Sequence, residues 1–141
     1  MFIDDKILIT KNSYENNVVN GDFGYIRSIS EKNRKKNDSE KKLSLEVCIR
    51  IIRGVEFSDS DDNDIIYNIS VYKISRESSE NTFELTNPSN FKVFIVQDEL
   101  TKKVTKYYVN AAKDNCPFDL GYCATVHKYQ GSETDLGLIF I

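Results

Sequence analysis

The sequence predicts a mainly β fold, and three observations carry that expectation. Apolar and polar residues alternate over short runs, the period-two signature of half-buried strands. Clusters rich in Asn, Asp and Gly separate these runs, as turns require. Only one stretch, near the end of the chain, has helical spacing. With 141 residues, 40% of them hydrophobic and 29% charged, the chain is the size of one domain, or of a domain plus an appendage, and a packed core is expected rather than wholesale disorder. No apolar run reaches the roughly 18 to 20 residues that a membrane-spanning helix needs. No signal-peptide pattern opens the chain, so a secreted protein is not expected.

Asp5–Thr10 (DKILIT) reads as a short strand with Ile7 and Ile9 on one face. The polar run Asn12–Asn20 follows, then the cluster Asn20-Gly21-Asp22 with Gly24. That cluster is read as a turn, with ligand contact as the alternative. Phe23–Ile29 is the next strand, Tyr25, Arg27 and Ile29 pointing opposite to Ile26 and Ser28. Glu31–Lys42 contains no apolar residue and is read as a solvated loop tip. Leu43–Ile52 alternates cleanly at Leu43, Leu45, Val47, Ile49 and Ile51. An acidic stretch, Glu56–Asp64, separates it from a strand at Ile65–Ile74. Its DSDDND run offers oxygen ligands for calcium, but it lacks the glycine and distal bidentate Glu of an EF-hand loop. Arg76–Asn90 is polar, with Pro88 in a turn; Phe91–Val96 and Val104–Val109 then form a hairpin. About six short strands at this spacing suggest a small barrel or sandwich.

The last quarter changes character. Leu120–Gln130 has the spacing of a short helix that Gly131 and Ser132 stop, and Leu136–Ile141 is continuously apolar, as in a strand buried on both faces. Helix, glycine turn and buried strand make an α/β element, which does not belong to a β-barrel.

A net charge of −3 argues against a wholly basic nucleic-acid coat but leaves room for a local basic groove. Lys102, Lys103 and Lys106 are a candidate phosphate-facing edge, and Tyr107 and Tyr108 a candidate stacking surface; plain exposure and core packing are the alternatives. The three cysteines, Cys48, Cys116 and Cys123, have no CxxC spacing, and the chain has one histidine, His127. Free thiols in a reducing compartment, cytoplasm or nucleus, fit this better than a zinc site. Cys123 and His127 stand four residues apart, as a thiol–imidazole pair on one helix face would, but no oxyanion donor or orienting group accompanies them.

The block Tyr122-Cys-Ala-Thr-Val-His-Lys-Tyr-Gln-Gly-Ser-Glu133, followed by an apolar strand, resembles motif V of superfamily 1 helicases of the RecD-like branch. The matched positions are Ala124, Thr125, Val126, His127, Lys128, Gln130, Gly131, Ser132 and Glu133. Asp5-Lys-Ile-Leu-Ile-Thr-Lys-Asn-x-Tyr14 and Val19-Asn-Gly-Asp-x-Gly24 resemble the segment that leads into that family's inserted barrel. The two matches stand in the family's order and cover about a third of the chain directly.

The resemblance implies a small SH3-like barrel (domain 2B) inserted into a partial α/β, RecA-like element, as in a UvrD-like helicase C-terminal domain. Residues 1–22 and 119–141 would form the partial second RecA-like domain, and 23–118 the barrel. Thr125, His127 and Lys128 would face single-stranded DNA, while Gln130, Gly131, Ser132 and Glu133 would face or couple to the nucleotide. A hydroxyl and an imidazole near a helix start bind phosphate or base without reading sequence. A glycine lets the backbone approach a ligand closely.

The sequence also lacks features of the parent motor. It contains no Gly-x-x-x-x-Gly-Lys-[Ser/Thr] phosphate loop, no Walker B acidic pair on an apolar strand and no arginine-bearing motif VI after motif V. ATP and Mg²⁺ belong to the parent helicase, and none is expected on this chain alone. The expected role is the C-terminal part of a RecD-like DNA helicase, inactive by itself, with single-stranded DNA and the remaining motor domain as partners and no membrane. The alternative is a stand-alone nucleic-acid or protein binding module.

Overall fold

The computed structural model describes residues 1–32, 42–53, 63–75, 90–110, 116–122 and 137–138. They form seven strands: β1 (Lys6–Ile9), β2 (Phe23–Lys32), β3 (Lys42–Ile51), β4 (Asp64–Ser75), β5 (Phe91–Gln97), β6 (Val104–Asn110) and β7 (Phe118–Leu120). All pairings are antiparallel, in the order β5-β6-β4-β3-β2-β1-β7, and the sheet curls into a half-barrel. The fold is mainly β.

The alternation in β3 decides which face turns inward. Leu43, Leu45, Val47, Ile49 and Ile51 are all buried, and their partners Val71, Ile69, Tyr67 and Ile65 on β4 share that face. Phe94, Tyr107, Val109 and Phe118 belong to the same core, as do Ile7, Ile9 and Ile26. Tyr67 packs its ring 5.6 Å from Phe118, and Phe118 makes an edge contact with Phe94 at 5.9 Å. Phe94 lies on β5 and Phe118 on β7, the two ends of the sheet order, so the core itself brings the sheet edges together.

Backbone and side chains extend this closure. Met1 N donates to Val93 O and Ile95 N donates to Met1 O, both at 2.9 Å, so the chain ahead of β1 runs along the outer edge of β5. Lys92 Nζ reaches Asp119 Oδ1 at 2.7 Å and Phe118 O at 3.1 Å. Asp4 N and Asp5 O bond to Ile26, tying the start of the chain to β2 as well.

Four details differ from the sequence expectation. In β1, Leu8 is as buried as Ile7 and Ile9, so this strand is covered on both faces rather than one. In β2, Ile26 pairs with Ile49 while Ser28 pairs with Cys48, so Arg27 is an extra residue, a bulge. The bulge reverses the parity, and Ile29 packs against the same core as Ile26 instead of opposite to it. The β2–β3 ladder also runs on to Lys32↔Ser44, past the expected end at Ile29, with Lys32 paired to Glu46 at 2.8 Å. Finally, Leu120 ends a strand instead of opening a helix. Residues 123–136 and 139–141, and with them the rest of the expected helix and last strand, lie outside the described residues, as does most of the acidic loop.

Candidate nucleic-acid interface

Successive strand residues face opposite sides, and β6 applies this to its tyrosine pair. Tyr107 points inward: it is 5% exposed and donates its hydroxyl to Glu31 Oε1 at 2.7 Å. Glu31 also pairs with Lys73, the cross-strand neighbour of Tyr107, so an inward polar group of Glu31, Lys73 and Tyr107 links β2, β4 and β6. Tyr107 is therefore not a stacking surface. Tyr108 points outward and is half-buried.

Around Tyr108 the register assembles an outer face. Tyr72 on β4 and Val93 on β5 are its direct partners, Phe91 stands two residues before Val93, and Lys106 pairs with Ile95 on the same side. Tyr72 and Phe91 meet edge to face at 6.4 Å. Phe91, Val93, Ile95, Tyr72 and Tyr108 are half-buried, and none packs against the inner core. The outer face of β2 and β3 is unlike this one, with Ser28, Ser30, Ser44, Glu46 and Cys48. Apolar and aromatic groups thus cover both faces of the sheet over β5, β6 and the end of β4, as Leu8 and Phe23 also do at the β1–β2 side among the described residues.

The basic residues divide in the same way. Lys32, Arg50, Lys73 and Lys92 each pair with a carboxylate on another strand. Lys6 lies over the Phe23 ring, 4.6 Å from its centroid. Lys106 stands on the aromatic outer face, and Lys102 and Lys103 lie in the adjoining β5–β6 turn. That turn is closed by hydrogen bonds: Asp98 Oδ1 accepts from Thr101 N at 2.8 Å and Leu100 N at 2.9 Å, while Lys102 takes φ 57° and donates its N–H to Asp98 O. The Thr101 and Leu100 bonds hold the Asp98 carboxyl below its ordinary range.

The Asn12–Gly24 cluster has a conformational role. Asn12 Oδ1 accepts from Asn20 N at 2.7 Å, Asp22 Oδ2 accepts from Val19 N at 3.0 Å, and Gly21 takes φ 102° with its N–H on Ile9 O. Arg53 Nη2 donates to Asn17 O at 2.6 Å, fastening this loop to the end of β3.

Thr125, His127, Lys128, Gln130, Gly131, Ser132 and Glu133 lie outside the described residues, and so does Cys123. What is described is the point where the chain enters that block. Gly121 N donates to Lys6 O at 2.8 Å, and a Cβ at Gly121 would stand 2.7 Å from the Ile7 carbonyl carbon. Tyr122 Oη donates to Asp5 Oδ1 at 3.0 Å and accepts from Lys6 N at 3.2 Å. The residues just before the block are therefore pressed against β1.

Burial raises the thiol pKa values of Cys48 and Cys116, and both are free. Among the described residues no group of His, Cys, Asp and Glu could hold a metal ion, and no helix is long and apolar enough to cross a membrane. Sequence reasoning singled out Tyr107, Tyr108 and the three lysines. It missed Tyr72, Phe91 and Val93, which only the strand register places beside Tyr108. No family model matches the chain, and no curated protein matches it either.

Proposed function

We propose that the chain binds single-stranded nucleic acid as the C-terminal part of a RecD-like DNA helicase, the barrel and the 124–133 block acting together. The observation that carries this reading is the outward face of β4, β6 and β5, where Tyr72, Tyr108 and Phe91 lie beside Lys106. Aromatic rings accept any base by stacking and lysines track the phosphates, so such a face binds a single strand without reading its sequence. The resemblance of Thr125, His127 and Lys128 to motif V supplies further strand contacts on the same chain. Gln130, Gly131, Ser132 and Glu133 are the proposed nucleotide-facing residues. In this reading ATP and Mg²⁺ belong to the parent helicase, this chain alone binds neither, and it is not a motor by itself. The proposed setting is a reducing intracellular compartment, with single-stranded DNA and the rest of the motor as partners.

Fluorescence anisotropy of a labelled oligothymidylate tests the reading. Binding should weaken steeply with salt. Tyr108→Ala should cost about 1–3 kcal/mol of affinity, the value of one stacked base. His127→Ala and Lys128→Ala should weaken binding further, while Tyr107→Phe, on the inner face, leaves it unchanged. Absence of binding at low salt would overturn the proposal. A second reading, a stand-alone binding module, is favoured by one observation: β1 and β7, from the flanking segments, pair within the same sheet as the barrel strands.

A further inference from the structure

The two edge strands of the sheet meet without a backbone ladder among the described residues. β7 bonds to β1 on one side, with Gly121 N on Lys6 O and Pro117 O accepting from Thr10 N. That pattern turns the Phe118 and Leu120 backbone groups toward the opposite edge. There the Phe118 carbonyl accepts from Lys92 Nζ at 3.1 Å and from Cys116 Sγ at 3.4 Å. The same ammonium pairs with Asp119 Oδ1 at 2.7 Å, and both side chains are largely shielded, at 23% and 35% exposure. Beside the Phe94–Phe118 ring contact, one lysine side chain thus supplies at this seam the polar contacts that a strand ladder supplies elsewhere in the sheet. Its charge is balanced by one carboxylate, and its ammonium is a charged donor to an edge carbonyl whose other partner is the weak Cys116 thiol donor.

The position of this contact matters for the site. Lys92 lies on β5, between Phe91 and Val93, which contribute to the aromatic outer face. Asp119 lies two residues before Gly121, the glycine wedged on Ile7 where the chain enters the 124–133 block. We propose that Lys92 is a positioning residue that closes the seam between β5 and β7 and so fixes the outward aromatic face relative to the entry into that block. The DNA part of this inference rests on the function proposed above; the seam itself does not.

The experiment compares wild type, Lys92→Glu and the charge-swapped pair Lys92→Glu with Asp119→Lys. Lys92→Met, which keeps most of the aliphatic stem, replaces the first variant if that one does not fold. Two quantities are read: amide hydrogen exchange at Gly121 and across β3, and anisotropy of a labelled oligothymidylate at low salt. Lys92→Glu should speed exchange at Gly121 by about fivefold or more while β3 amides keep their protection, because the opening is local. It should weaken DNA binding, and the swapped pair should restore both quantities. Unchanged Gly121 exchange, an equal loss of protection across β3, or no rescue by the swap would overturn the role given to Lys92. If wild type does not bind DNA, the function proposed above fails. Exchange at Gly121 then still decides the seam: response and rescue support it, and their absence overturns it.

Discussion

At Gly24 the sheet has no room for a side chain. A Cβ there would stand 2.7 Å from Arg50 O and 2.8 Å from Ile49 Cγ2, and backbone cannot swing aside as a flexible side-chain end can. Gly24 pairs with Ile7 on β1 and with Ile51 on β3, so a shift at this residue disturbs two ladders. Gly24→Ala should destabilise the protein by about 1–3 kcal/mol, the usual cost of overpacking, measured by urea unfolding. An unchanged midpoint would show that the strands part more easily than the geometry indicates. The tyrosine pair on β6 shows another residue-scale point. That one ring faces in and one faces out follows from strand parity alone, but which ring does which is set by register, which pairs Tyr107 with inward Phe94; Glu31, on a strand three positions away in the sheet order, then accepts from the Tyr107 hydroxyl.

Elements differ in how much they own their shape. In the β5–β6 turn one carboxylate adds to the backbone bonds: Asp98 accepts from the Thr101 and Leu100 N–H groups, and these bonds lower its pKa. Since its folded pKa lies below the unfolded value of about 3.9, the carboxylate's contribution to the turn is fully present above that pH. That contribution is lost as pH falls through the lowered folded value. Leu100 and Thr101 amide exchange, measured on a falling pH series and corrected for intrinsic rates, should show protection lost only in the acid range. Asp98→Ala should show it already lost at neutral pH. A turn protected equally in both proteins would show that Asp98 does not hold it. β2 depends on its neighbour instead. Its inward residues Ile26 and Ile29 violate a simple alternation, and only pairing with the regular β3 reveals the bulge at Arg27 that accounts for this. β7 was not legible beforehand, because three residues give too short a pattern to read; pairing with β1 defines it.

The whole sheet combines segments from both ends of the described chain. Met1 lies along β5, β1 joins β2 to β7, and Lys92 ties β5 to β7. A sheet closed in this way should lose its structure as one unit. Tyrosine fluorescence and far-ultraviolet circular dichroism should follow a single coincident unfolding transition. Two separated transitions would show that the flanking segments and the barrel strands fold independently. Six of the seven strands were legible, nearly to their ends, because their apolar residues gather in short runs between polar turn segments, with clean period-two alternation in β3. Much less of the candidate interface was legible. Lys106 and Tyr108 were visible as a basic and aromatic pair, whereas Tyr72 and Phe91 come from other strands, and their approach depends on register.

By itself, then, the sequence determined the mainly β class, the places of the strands and the block from Ala124 to Glu133 that resembles motif V. These are local properties, set by side-chain period, turn residues and contiguous motif. Only the tertiary structure decided that Tyr107 belongs to the core and Tyr108 to the surface, that Ile29 turns inward, and that β5 and β7 meet through Lys92. Those outcomes depend on cross-strand register and on the curl of the sheet, which arise when distant segments pair and so leave no mark in any single stretch of sequence.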